Sequence, residues 1–205
     1  MPLPALNTFA GNPLDRAGDR RSDPAWLAEQ GANPEAVAMV VWQGNPLAQH
    51  HPEGPGLAWL GLEQAGAVVP DREVFLGLWK RAPVFAVEVE GSLDPSAGPL
   101  KGLGTFPEMR EAAALLAGPE AAMAGSAKSL FDWRGRHGFC AACGVESVDA
   151  CGGWKRVCPA CGVEHFPRVD PVTIMLPVYK GGIGPLCLLG RQGSWPAGRM
   201  CAVAG

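Results

Sequence analysis

No stretch of the sequence approaches the roughly 20 consecutive apolar residues that a bilayer-spanning helix needs, so neither a transmembrane segment nor a membrane partner is expected. The opening residues, MPLPALNTFAGNPLDRAGDRR, lack a basic segment followed by an apolar core, which speaks against a secretory signal. Charge of one sign is scarce as well. A formal net charge of −3 and a pI near 5.8 argue against wholesale binding of nucleic acid or membrane surfaces. Glycine (28) and proline (20) are abundant, but no repeat period links them, which sets aside collagen-like and low-complexity chains. The seven cysteines are odd in number and cluster in one short segment, unlike a secreted disulfide framework. A soluble protein in a reducing, cytoplasmic setting is the expectation.

With 47% hydrophobic and 18% charged residues, the 205-residue chain can bury a core as one large domain or as two to three small ones. Asp23-Pro24 ahead of Ala25, Trp26, Leu27 and Ala28 predicts a short helix, with Asp23 as its cap and Pro24 in its first turn. Strand-like runs follow at Met39–Trp42, Leu57–Leu62, Val74–Trp79 and Val84–Val89. Their turn-bounded spacing predicts an antiparallel meander. Glu108–Ala117 reads as a helix, Gly118-Pro119 interrupts it, and a second helix from Glu120 to about Gly135 turns Ala121, Leu130 and Trp133 inward. Beyond Phe166-Pro-Arg-Val-Asp-Pro171, alternation from Val172 to Val178 predicts a strand. A glycine turn, a second strand at Leu186–Arg191 and an apolar piece at Met200–Gly205 complete the chain. Trp26, Trp42, Trp59 and Trp79 read as core or domain-interface residues, His50-His51 as loop, and Asp170 as a cap or turn.

The densest signal is CAACGVESVDACGGWKRVCPACG, residues 140–162. Cys140, Cys143, Cys158 and Cys161 form C-x2-C-x14-C-x2-C, two tight turns that each aim two thiolates at one point. Gly144 and Gly162 follow the pairs, as turns with positive φ require. Four sulfurs leave no open coordination position, so a zinc ion held there would be structural, supplying folding free energy on the order of 10–16 kcal/mol. The competing reading is buried or disulfide-linked cysteines. Cys151 reads as a bystander, Cys187 and Cys201 as core residues, and His137 and His165 as dispensable neighbours.

Several stretches together resemble the NADH pyrophosphatase (NAD diphosphatase) branch of the Nudix hydrolases. They are Asn7-Thr-Phe-Ala-Gly-Asn-Pro-Leu-Asp-Arg16, Trp133 before the knuckles, Gly153–Gly162, His165-Phe-Pro-Arg-Val-Asp-Pro-Val172 and Leu188-Leu-Gly-Arg-Gln192. The resemblance implies an α+β chain with a β-rich N-terminal domain (1–135), a zinc ribbon (136–167) and the first strands of a Nudix α/β/α sandwich (168–205). It implies cleavage of the diphosphate of NADH or NAD, or of NAD-capped RNA, to nicotinamide mononucleotide and AMP, commonly by a homodimer. It also implies substrate stacking by Phe166, and a backbone carbonyl of Ala204 in the shell of a catalytic Mg2+ or Mn2+. The catalytic pattern G-x5-E-x7-R-E-U-x-E-E-x-G-U, whose carboxylates hold the divalent ions, occurs nowhere in residues 1–205. In the family it begins a few residues after the position of Ala204-Gly205. The chain is therefore expected to be inactive alone, as a fragment or a truncated product.

The alternative readings are a zinc-ribbon RNA-binding module and an inactive scaffold. Arg134, Arg136, His137, Lys155, Arg156 and Arg168 could meet phosphates, with Trp133 and Trp154 stacking on bases. A solvated face on an acidic protein is the preferred account of that cluster.

Overall fold

Asp23 and Pro24 open the first helix, α1 (Pro24–Gly31), where the sequence places it. The Asp23 carboxylate accepts from the amides of Ala25 and Trp26, two donors with no partner inside a first turn. The computed structural model describes residues 7–68, 73–168, 173–182 and 184–204. These fall into two units, Met1–Pro167 and Arg168–Gly205.

In the first unit α1 is followed by β1 (Val37–Trp42), β2 (Asn45–Pro46), β3 (Ala48–His51), β4 (Gly54–Leu57) and β5 (Trp59–Gly61). Then come α2 (Leu62–Val68), β6 (Glu73–Trp79) and β7 (Ala82–Val89). The main sheet runs β2-β1-β7-β6, with β5 also paired to β1. His50-His51, read as loop, lies at the end of a hairpin formed by β3 and β4.

The predicted meander needs correction. β6 and β7 are antiparallel, but β1 and β7 run parallel from Val37↔Val84 to Trp42↔Val89. A parallel pair requires a long crossover, and the chain between β1 and β7 supplies it. Alternation marks a strand without marking the direction of its neighbour. Leu57–Leu62 is likewise divided, since β4 ends at Leu57, β5 takes 59–61, and Leu62 begins α2.

Successive strand residues point to opposite faces, and each face has its own core. On one, Met39, Val41, Val74, Leu76, Val84 and Ala86 pack with Met109, Ala112, Met123, Leu130 and Phe131. Those last residues come from α3 (Met109–Leu115) and α4 (Gly118–Arg136). On the other, Ala38, Val40, Phe75, Phe85 and Val87 meet Trp26 of α1 and Ala65 of α2. The mixed α+β fold expected from the sequence is the one present. Glu108 caps α3 by accepting from the Arg110 amide. Gly118-Pro119 starts α4 rather than merely breaking the chain, because a proline in a first turn forfeits no helical hydrogen bond. Ala121, Leu130 and Trp133 are buried as predicted.

The rest of the first unit is a small sheet, β10-β9-β8, made from β8 (Val148–Ala150), β9 (Lys155–Val157) and β10 (Glu164–His165). In the second unit β11 (Ile174–Met175) pairs with β14 (Val203–Ala204), and β12 (Val178–Gly181) forms a hairpin with β13 (Gly184–Cys187). The single strand expected over 172–178 is thus two short ones, and Val172 and Asp170 lie outside the described residues. Ile174, Leu176, Tyr179 and Leu188 are exposed. So are Cys187 and Cys201, contrary to their reading as core.

Candidate metal centre

The two C-x-x-C turns fold identically. Cys140 N–H donates to Val145 O at 2.8 Å and Gly144 N–H to Cys140 O at 2.9 Å. In the second turn Cys158 N–H donates to Val163 O at 3.0 Å and Gly162 N–H to Cys158 O at 2.9 Å. Gly144 and Gly162 both sit at φ +74°, in the left-handed region foreseen for them. Each turn thereby presents one buried thiol, Cys140 or Cys158, and one exposed thiol, Cys143 or Cys161.

The four sulfurs lie within 4.8 Å of one another. Cys143 Sγ is 3.4 Å from Cys158 Sγ and 3.5 Å from Cys161 Sγ, and Cys140 Sγ is 3.6 Å from Cys161 Sγ. A disulfide needs about 2.05 Å, so these are not bridges. A tetrahedron of thiolates about 2.3 Å from a zinc ion has edges of roughly 3.8 Å, close to the separations found. The donor set therefore fits zinc in kind, number and spacing. Among the described residues no other group of three or more potential ligands converges in this way. Cys151 and the two flanking histidines stand apart from the cluster, and His137 Nδ1 instead meets Trp133 O at 3.0 Å.

Thiols this close cannot all ionise without a cation between them. The Cys161 amide, with help from that of Ala160 and from neighbouring thiols, draws Cys158 down to about 6 despite its burial. The Val145 amide pulls on Cys143, but the Cys158 and Cys161 sulfurs and desolvation outweigh it and push that thiol up to about 12. Cys161 is also raised, because Cys158, desolvation and Cys140 outweigh the Val163 amide and Cys143. One thiolate is thus prepared and at least two thiols are held protonated, as a site does that completes its ionisation on meeting a metal.

The basic cluster around the knuckles is largely neutralised. Asp149 accepts from both Arg134 and Arg156, and Lys155 lies 2.6 Å from Glu164. Arg156 also binds Ser147, whose buried hydroxyl donates to Gly138 O. Trp133 is buried, and Trp154 is half-buried beneath the guanidinium groups of Arg16 and Arg21, 5.3 and 4.3 Å from its ring. The two indoles therefore do not form an open stacking platform.

Trp154 has a different task, one that spacing does not reveal. Its Nε1–H donates to Phe75 O at 2.6 Å. Phe75 belongs to β6, the edge strand of the main sheet. The preceding turn, Cys151–Gly153, rests on β6, where a Cβ on Gly153 would meet Val74 Cγ2 at 2.8 Å. The ribbon thus docks on the sheet edge through Gly153 and Trp154. Phe166, just beyond β10, is 59% exposed. The backbone of Ala204 pairs with Ile174.

Residues 35–133 match the NADH pyrophosphatase-like rudimentary NUDIX domain, and residues 136–166 match the NADH pyrophosphatase zinc ribbon domain. The chain belongs to the NADH pyrophosphatase family of zinc-ribbon Nudix proteins. It is similar to the NAD-capped RNA hydrolase NUDT12 of Homo sapiens, with 28% identity over 253 residues, covering 97% of this chain and 51% of that protein. The NAD-capped RNA hydrolase NudC of Deinococcus radiodurans is 33% identical over 154 residues, which cover 75% and 49% of the two chains. The mitochondrial NAD(P)H pyrophosphatase NUDT13 of Homo sapiens is 36% identical over 102 residues, 50% of this chain and 28% of that protein. The chain spans about half the length of the first two relatives. No helix among the described residues is long and apolar enough to cross a membrane.

Proposed function

We propose that this chain serves an NAD(H) diphosphatase, in which water attacks the diphosphate of NADH or NAD and the P–O–P link breaks to give nicotinamide mononucleotide and AMP. NAD-capped RNA is a second substrate of the same chemistry. The observation that carries this reading is the convergence of four thiols in a ribbon docked on a family-matched unit. Cys140, Cys143, Cys158 and Cys161 would hold a structural zinc whose bonds fix the ribbon fold. The exposed Phe166 ring would stack on a substrate base, and the Ala204 carbonyl would contribute to the shell of a catalytic Mg2+ or Mn2+. Such ions neutralise the diphosphate and orient water. The carboxylates that hold them are assigned to residues outside 1–205, since no glutamate-rich box occurs within. We further assign the three parts as 1–135, 136–167 and 168–205, a homodimeric state, and a reducing cytoplasmic compartment that keeps the thiols free.

The test is AMP release from NADH in Mg2+, measured for the 205-residue chain and for the longer product of its downstream reading frame. The first should release none, and the second should release AMP and nicotinamide mononucleotide. AMP from the first would overturn the placement of the carboxylates, and none from either would overturn the diphosphatase reading. In the active product Phe166→Ala should raise KM for NADH roughly 5- to 100-fold, as expected for a lost base-stacking contact, with a smaller change in kcat.

A further inference from the structure

On the α4 face of the main sheet lies a cavity of about 310 Å3, distinct from the ribbon. Val37 of β1 and Val84 of β7, paired in register, form its floor. Trp59 of β5 and Trp79 of β6 stand on either side, both half-buried and both packed against the core of that face. The polar residues at its wall are two, Glu35 and Glu120, and neither lysine, arginine nor histidine lines it. The Glu120 carboxylate is held in place by accepting from the Leu57 amide at 3.2 Å, while Glu35 is exposed at the rim.

We propose that this cavity binds a small organic cation with an apolar body, of the quaternary-ammonium class. Two indoles offer negative ring faces, and attraction to a cation grows when water is excluded. Two carboxylates add charge complementarity, and the His51 ring, which lies near the Glu120 carboxylate, does not itself line the cavity. An apolar floor disfavours a strongly hydrated inorganic ion and suits methyl groups. The volume lies at the small end of ligand pockets.

Choline and its uncharged isostere 3,3-dimethylbutan-1-ol serve as probes, with binding read from the indole N–H resonances of the 15N-labelled chain. Trp59→Phe and Trp79→Phe assign the two signals. Choline should shift both, and the isostere should bind about tenfold more weakly, the size of effect that cation–π attraction and charge pairing give together. Glu35→Gln and Glu120→Gln, which keeps an acceptor for Leu57, should each weaken choline and leave the isostere unchanged. Equal affinity for the two probes would show a merely apolar pocket and overturn the proposal. So would shifts confined to other indoles, or a self-association that masks Trp59 and Trp79 and is not displaced by choline.

Discussion

Gly153 is the residue on which the docking of the ribbon turns. It occupies φ +87°, and an added Cβ would lie 2.8 Å from Val74 Cγ2 and 3.2 Å from Val74 Cγ1. Alanine there meets two penalties, a left-handed backbone costing about 1–2 kcal/mol and an overpacked contact costing about 1–3 kcal/mol. Gly153→Ala should therefore lower stability by roughly 2–5 kcal/mol in denaturant titration. Bound zinc should remain at one ion per chain, because Val74 is no part of the thiol cluster. Gly102→Ala is the matched control, since it shares a positive φ of +82° and nothing lies within 4 Å of its added Cβ. An unchanged midpoint for Gly153→Ala would mean that the ribbon does not seat on β6 as described.

The two knuckles were legible in the sequence because four ligands at fixed spacing leave few geometries, and the repeated hydrogen bonds at Cys140 and Cys158 follow from that constraint. Helices α1, α3 and α4 were legible through Asp23, Glu108 and the alanine-rich run. The parallel β1–β7 pair was not, because pairing direction is set by the crossover and not by either strand's own pattern. The role of Trp154 was hidden for a similar reason, since its acceptor Phe75 lies 79 residues away in sequence. The ribbon also carries a proton signature. At pH 7 Cys143, at about 12, is protonated, Cys161 is raised, and Cys158, at about 6, is ionised. Zinc must expel the protons of the first two, so calorimetry in buffers of differing ionisation enthalpy should show about two or more protons released per zinc. Release of fewer than about one would contradict a four-thiolate site.

Across the first unit, metal and sheet form one mechanical system. β6 is an edge strand whose outward groups need cover. Asp15 supplies part of it by exchanging backbone hydrogen bonds with Leu78. The ribbon supplies more through Trp154, and Asp149 of β8 ties the same module to α4 through Arg134. Without zinc a module of about 30 residues has too little core to stay folded, so its contacts with β6 are lost together. The Trp154 hydrogen bond contributes about 1 kcal/mol and the burial of its indole about 2 kcal/mol. A loss near 3 kcal/mol corresponds to a fall in Tm of roughly 6–12 °C for a unit of this size. Chelation should thus lower the melting temperature of the whole first unit, shift Trp154 emission to the red, and promote association through the uncovered β6 edge. Trp154→Phe should reproduce part of the fall while keeping its zinc. If near-ultraviolet circular dichroism melts the unit at the same temperature with and without zinc, the ribbon is an independent appendage and the sheet edge does not depend on it.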